Sequence, residues 1–192
     1  AGTRYTVRLA IFSALLALET GQDEITVGTY IDNRRLAETE SMFGDFSNLM
    51  TLVLPFDPAA PLRRWLQKVR FLVTETRARA DVPYELLSDE LRVAKCTPPQ
   101  VNALFAVHPS LPELPCGDIE LVPASPTLRT MPWGFTFVID QRRENDRCQV
   151  LFDAHQYDPA GVRRFIDRYV ALAEAAAADP HRALGDLHRG LP

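Results

Sequence analysis

The stretch FGDFSNLM, Phe43 to Met50, sets an acid, a serine and an asparagine between large apolar residues, directly ahead of an apolar run. Polar groups placed this way can close a turn, or they can line the mouth of a cavity. Side chains with acid–base chemistry are sparse. The four histidines are His108, His155, His181 and His188. His155 follows Asp153 by two residues in FDAHQYDP, which puts both on one face of a strand. There the acid could orient the ring as a general base, and a surface or capping role is the alternative. His108 closes a strand-like run before Pro109, while His181 and His188 fall in a polar tail that reads as solvated. Ser47 and Cys96 are nucleophiles by type only, with no base near them in sequence. GxSxG, HExxH, GxxxxGK and GxGxxG do not occur. By spacing alone this is an α/β domain without a complete active site.

The elements that must position these residues are legible from periodicity. Tyr5 to Glu19 reads as a helix apolar on nearly all sides and therefore buried, stopped by Gly21. Glu24 to Tyr30 is β-branched and reads as a strand. Asn48 to Phe56 is a continuous apolar run, as in a strand buried on both faces, ended by Pro55. Pro61 to Arg79 is an amphipathic helix whose stripe includes Leu62, Trp65, Leu66, Val69 and Val73, with Trp65 read as core. A short helix, YELLSDEL, follows Pro83. Gln100 to Val107, GDIELVP, GFTFVID and CQVLFDA read as strands. Asp158 and Pro159 then open a helix that runs to Ala178 and stops at Asp179-Pro180. The expectation is a single α/β domain over residues 1–192, an α+β sandwich with one mixed β-sheet covered by helices.

Composition narrows the function. The chain has 192 residues with 46% hydrophobic content, enough for one sizeable core. Its net charge of -4 and its scattered basic residues give no basic face, which argues against nucleic-acid binding. Three widely spaced cysteines, Cys96, Cys116 and Cys148, supply neither a disulfide framework nor a zinc site, and they fit a reduced, cytoplasmic setting. The apolar stretch Val7 to Leu18 is too short to span a bilayer. The chain opens straight into its first helix, as a piece of something larger would.

Several stretches taken in order resemble one family. Thr6 to Arg34 carries Gly21-Gln22, Ile25, Val27-Gly28-Thr29 and Asn33-Arg34. It is similar to the segment that opens the C-terminal lobe of nonribosomal peptide synthetase condensation domains. MFGDFSNLM resembles their I-G-x-F-x-N-T-L loop, DVPYELL their D-x-P-F-E-x-L element, and PPQVNALFAVH their P-L-F-Q-V-x-F strand. The run from Leu151 to Pro180 resembles their closing strand and helix. The resemblance covers nearly the whole chain from Thr6.

This likeness implies half of a chloramphenicol-acetyltransferase-like fold, in which two lobes enclose a tunnel. The catalytic H-H-x-x-x-D-G belongs to the N-terminal lobe, and this sequence has no adjacent histidines. The chain is therefore expected to be the second lobe only, an excised fragment, a proteolysed product or one half of a split protein, inactive alone. Its expected floor loop and tunnel wall comprise Tyr30, Asp32, Arg34, Gly44, Asp45, Phe46, Ser47 and Asn48. Asp45, Ser47 and Asn48 should face the tunnel while Phe43 and Phe46 anchor the loop in the core. His108 and Trp133 would lie at a latch and lobe interface within Val107 to Phe135. The expected partners are the N-terminal lobe, peptidyl carrier proteins and neighbouring synthetase modules, with no membrane and no nucleic acid. No cofactor belongs to the chain itself, because the substrates ride on the phosphopantetheine of the carrier proteins. The expected reaction is amide-bond formation between carrier-bound thioesters. Two alternatives stand beside it: an inactive recruitment module for a carrier protein or auxiliary enzyme, and, because GDFS is closer to G-D-F-T, a heterocyclisation lobe.

Overall fold

The computed structural model describes residues 3–34, 36–109, 133–141 and 146–191. The element order is α1 (Arg4–Thr20), β1 (Glu24–Asp32), α2 (Ala37–Glu40), β2 (Ser47–Pro55), α3 (Leu62–Ala78), α4 (Tyr84–Val93), β3 (Ala103–His108), β4 (Phe135–Asp140), β5 (Arg147–Phe152), α5 (Pro159–Ala178) and α6 (Leu184–Arg189). The five strands form one mixed sheet in the order β2-β1-β3-β4-β5. β1, β3 and β4 run parallel, and the outer strands β2 and β5 pair antiparallel with their neighbours. The expected mixed sheet with helices is what the chain builds. The expected strand GDIELVP lies outside the described residues.

Local chemistry sets the ends of the helices. Thr3 caps α1 by accepting from the Thr6 amide, and Gly21 ends it in the left-handed conformation at φ 67°. Asp158 caps α5 by accepting from the Gly161 amide at 2.9 Å, with Pro159 in the first turn. α1 is the central helix, as its all-round apolarity requires. Leu9, Ala10, Phe12, Ala14 and Leu15 are fully buried. Phe12, Phe105, Phe137, Phe165 and Tyr169 interlock at centroid distances of 4.7–6.2 Å, joining α1 to β3, β4 and α5. Trp65 of α3 is buried, and its indole N–H donates to the Ala10 carbonyl at 2.8 Å.

Alternation along the strands separates two faces. Ile25, Val27, Met50, Leu52, Leu54, Ala103, Phe105, Phe135, Phe137 and Ile139 enter the main core under the helices. Leu49 and Leu104 point the other way, into a small second cluster with Val101, Tyr84 and Trp133. Gly28 lies on this second face, where a Cβ would stand 2.5 Å from Val101 Cγ1, so only glycine lets Val101 sit down on the strand.

Two expectations are corrected. β2 is an edge strand, with Val53 exposed, and is not buried on both faces. The polar tail is helix α6, and Leu184 and Leu187 belong to the core. The preceding turn is stitched to the start of α3: Arg63 N–H donates to Pro180, Leu184 N–H to Ala60 and Gly185 N–H to Pro58. His188 is accordingly not solvated; its Nε2 lies 3.0 Å from Glu19, which also binds Arg168.

Candidate functional site

The connection between β1 and β2 is the loop singled out in the sequence. Asp32 pairs with Ser47 at its mouth, so the two strands hold it closed. Inside it the Arg34 side chain organises the described residues. The Arg34 guanidinium donates to the carbonyls of Thr39, Met42 (2.9 Å) and Gly44 (2.7 Å), and it lies 4.2 Å over the Phe46 ring. Gly44 has φ 154°, a conformation that side-chain-bearing residues rarely adopt, which lets its carbonyl turn toward Arg34. Asp32 accepts from the Arg34 amide at 3.2 Å. Sequence alone points to Arg34 without revealing this role, since its partners are backbone carbonyls.

The polar residues of the loop divide. Asp45 accepts both the Ser47 hydroxyl (2.6 Å) and the Ser47 amide (2.9 Å) through one oxygen. These bonds, the hydroxyl first, hold the exposed Asp45 carboxyl below the usual range. Ser47 is exposed and starts β2 on its second face. Asn48, one residue on, turns to the opposite face and is buried. Its amide donates to the carbonyls of Ala80 and Val82, both at 2.9 Å, and its oxygen accepts from the Tyr84 amide at 3.3 Å. Every polar atom of that side chain is used to pin the α3–α4 connection. The expectation that Asn48 lies exposed beside Asp45 and Ser47 is corrected on this ground: strand alternation sends neighbours to opposite faces. The aromatic anchors are also corrected. Phe43 is fully exposed, and Phe46 sits half-buried beneath Arg34, outside the core.

The remaining expected site residues share the second face of the sheet. The Trp133 indole N–H donates to Tyr30 Oη at 3.1 Å, and the Trp133 ring packs on the cluster of Leu49, Val101 and Leu104. At the ends of β3 and β4, His108 Nδ1 lies 3.0 Å from Asp140 Oδ1. Gln149 of β5 donates to Asp140 Oδ2 at 3.1 Å. This pairing depends on register between distant segments, so sequence spacing could not find it. The Asp153–His155 pair does not form a base and orienter. Asp153 accepts the His155 backbone amide at 2.9 Å and the Gln156 side chain at 2.8 Å, which closes a turn and lowers its pKa. Most of the expected latch, residues 110–132, lies outside the described residues. Among the described residues no helix is long and apolar enough to cross a membrane.

The sequence profile of the condensation domain matches residues 2–189. Phosphinothricin tripeptide synthetase PhsC of Streptomyces viridochromogenes is 26% identical over 182 residues, covering 93% of this chain and 17% of that protein. Tyrocidine synthase 3 of Brevibacillus parabrevis is 26% identical over 195 residues, covering 99% of this chain and 3% of that protein. The chain thus spans a small fraction of the relatives it matches. Among solved structures, the X-domain from teicoplanin biosynthesis in complex with OxyB superposes with a TM-score of 0.81 at 19% identity, covering 97% of this chain and 42% of that one. The condensation domain from the monacolin K polyketide synthase MokA gives 0.78 at 21% identity, covering 95% and 43%. At those identities the structural likeness speaks for the fold.

Proposed function

The chain belongs to the condensation-domain family, and we propose that it is the C-terminal lobe of a nonribosomal peptide synthetase condensation domain. In this role it supplies the tunnel wall, the floor loop and part of the carrier docking surface for amide-bond formation between carrier-bound aminoacyl and peptidyl thioesters. The observation that carries the reading is coverage: nearly all of this chain superposes on about two-fifths of a solved condensation domain. The loop clamped by Arg34 then serves as a rigid floor, with Asp45 and Ser47 at its rim. The N-terminal lobe supplies the H-H-x-x-x-D-G histidine that this sequence lacks, so the chain alone forms no amide bond. Carrier proteins and neighbouring synthetase modules are its partners, and their phosphopantetheine arms bring the substrates.

A recruitment role is the second reading, favoured by the superposition on an X-domain whose structure is a complex with OxyB. The test is to pair this chain with its N-terminal lobe and supply loaded donor and acceptor carriers. Condensed product by mass spectrometry supports the enzymatic role. A stable complex with a carrier or auxiliary enzyme, without turnover, supports recruitment. A product cyclised through a Cys, Ser or Thr side chain assigns the heterocyclisation subtype.

A further inference from the structure

We propose that the exposed face of α3 is a docking surface for the acidic face of a neighbouring domain in the same synthetase. The choice of a synthetase domain rests on the function proposed above; the acidic character of its face rests on charge. α3 carries five basic residues, Arg63, Arg64, Lys68, Arg70 and Arg77, against the single acid Glu75, in a chain whose net charge is -4. The first four of these basic residues are all exposed. The expectation of a chain without a basic face is corrected for this helix, whose winding gathers residues that look scattered along the sequence. Among the described residues, Arg63, Arg64 and Arg70 make no salt bridge. A groove of about 460 Å³ runs from Arg63 to Glu75, past Leu66, Arg70 and Phe71, and Phe71 is 64% exposed.

The fold does not ask for these cations. Arg63 and Arg64 stand in the first turn of α3, where the free backbone N–H groups already present positive charge. That turn holds no acid, and Pro61 supplies no side-chain cap. Leu62, Trp65 and Val69 make the buried side of the helix, so the arginines add nothing to the core. Arginines around an exposed aromatic ring match the composition of protein interfaces, and a cluster of unpaired cations is complemented by carboxylates. A nucleic acid fits less well, because the chain as a whole is negative and the groove has Leu66 and Phe71 at its centre.

The groove lies away from the substrate side. Asn48 grips the Ala80 carbonyl just past one end of α3, and Arg63 lies roughly 22 Å along the helix from Ala78 at that end. Trp65 points the other way, toward α1, with its indole bonded to the Ala10 carbonyl. A domain docked on the exposed face therefore brings nothing to the second face of the sheet; it fixes one domain against another. The basic end of α3 is also strapped to the start of α6: Arg63 N–H donates to Pro180 at 3.1 Å and Leu184 N–H to Ala60 at 3.0 Å. α6 adds only about 9 Å, so polypeptide that continues from it sets out near the groove.

The experiment uses the full-length protein that contains this chain. A carbodiimide couples amines to carboxylates at zero length, and Lys68 and Lys95 are the only lysines in this sequence, so their crosslinks can be mapped by peptide mass spectrometry. The expected result is coupling of Lys68, and of the amine introduced by Arg70→Lys, to Asp or Glu of a domain outside both lobes. The yield should fall several-fold between about 0.1 M and 1 M salt. Arg63→Glu with Arg70→Glu should lower the Lys68 yield by about tenfold. Hydrogen exchange at the Trp65 and Val69 amides should meanwhile stay within about threefold of the parent's, since acids suit the start of a helix. Crosslinks confined to the two lobes overturn the proposal, and so does much faster exchange in the double variant, which would make the arginines structural. Saturable binding of a 20-base-pair DNA duplex, lost in the double variant, assigns the groove to nucleic acid and overturns it too. None of these readouts needs turnover. A protein that condenses substrates without the crosslink loses the docking surface and keeps the function, and one that crosslinks without condensing keeps the docking surface and loses the function.

Discussion

Replacing Arg34 by Ala should open the β1–β2 loop while leaving the domain folded. The side chain is 23% exposed, so each of its bonds is partly screened. Its three carbonyl contacts contribute about 0.5–1 kcal/mol each once discounted for that exposure. The Phe46 ring adds about 0.5–1 kcal/mol, and the Asp32 contact at 3.7 Å, to a largely exposed carboxylate, adds close to nothing. The sum is about 2–4 kcal/mol on loop closure, a factor of roughly 30 to 700 in the open population. The main core does not depend on it, because Arg34 contacts loop backbone and one half-buried ring. The assay is native-state hydrogen exchange at the Thr39 and Met42 amides, which donate to Leu36 and Thr39 inside the loop. Their exchange should accelerate by that factor, while the melting transition shifts by less than the equivalent of about 1 kcal/mol. Arg34→Lys should recover no more than about a third of the closure energy, since a point charge cannot fork to three carbonyls and stack on a ring. Exchange in Arg34→Ala equal to the parent's would refute the clamp.

Three further outcomes are expected. Asn48→Ala should cost about 2–4 kcal/mol in urea unfolding, because it orphans the buried Ala80 carbonyl and removes the partner of the part-buried Val82 carbonyl and Tyr84 amide, whereas Ser47→Ala should stay within about 1 kcal/mol; equal losses would contradict the division of the loop. Gly28→Ala should destabilise by about 1–3 kcal/mol through the clash with Val101, and Val101→Ala in the same chain should relieve part of it, a coupling readable in a double-mutant cycle. Cys148 has its thiol pKa raised, by burial first and by Asp146 second, against a smaller opposing effect of Arg8. Folded protein therefore holds less thiolate than unfolded protein at mildly alkaline pH. In a variant retaining only this cysteine, iodoacetamide labelling of the native chain should be slower than in denaturant and should keep rising above about pH 10, where the unfolded thiol has levelled off.

Much of the scaffold is legible because it repeats a period. The stripes of α3 and α5, the all-round apolarity of α1 and the Asp158–Pro159 start are local signals, and the chain obeys them. Sequence reading fails where the deciding contact is remote. Leu184 and Leu187 are two apolar residues in a polar tail, and only the strapping of residues 180–185 to residues 58–63 shows that they are core. Phe43 and Phe46 look like anchors because large apolar side chains usually are. Nothing in FGDFSNLM reveals that Arg34, about ten residues earlier, takes the place of a hydrophobic pocket. The β2 run reads as doubly buried since composition does not say which strand ends the sheet.

Strand alternation also explains why sequence neighbours at this site do different work. Successive side chains go to opposite faces, so each site strand carries a stability set and a surface set in turn. On β2, Asn48, Met50, Leu52 and Leu54 face the helices or their connection, and Ser47 and Leu49 face away. On β1, Thr29 turns inward to receive the Tyr5 hydroxyl at 2.8 Å, and Tyr30 turns outward to Trp133. On β3, Val107 packs against the core, and His108 meets Asp140. A resemblance read along the chain assigns a whole motif to the site. The pleat assigns only alternate residues of it, which is how Asn48 comes to stand inside a site motif while its bonds hold the α3–α4 connection. On the proposed reading, Tyr30 and Ser47 are therefore the positions where substitution should separate function from folding, and Thr29, Asn48 and Val107 are those where it should not.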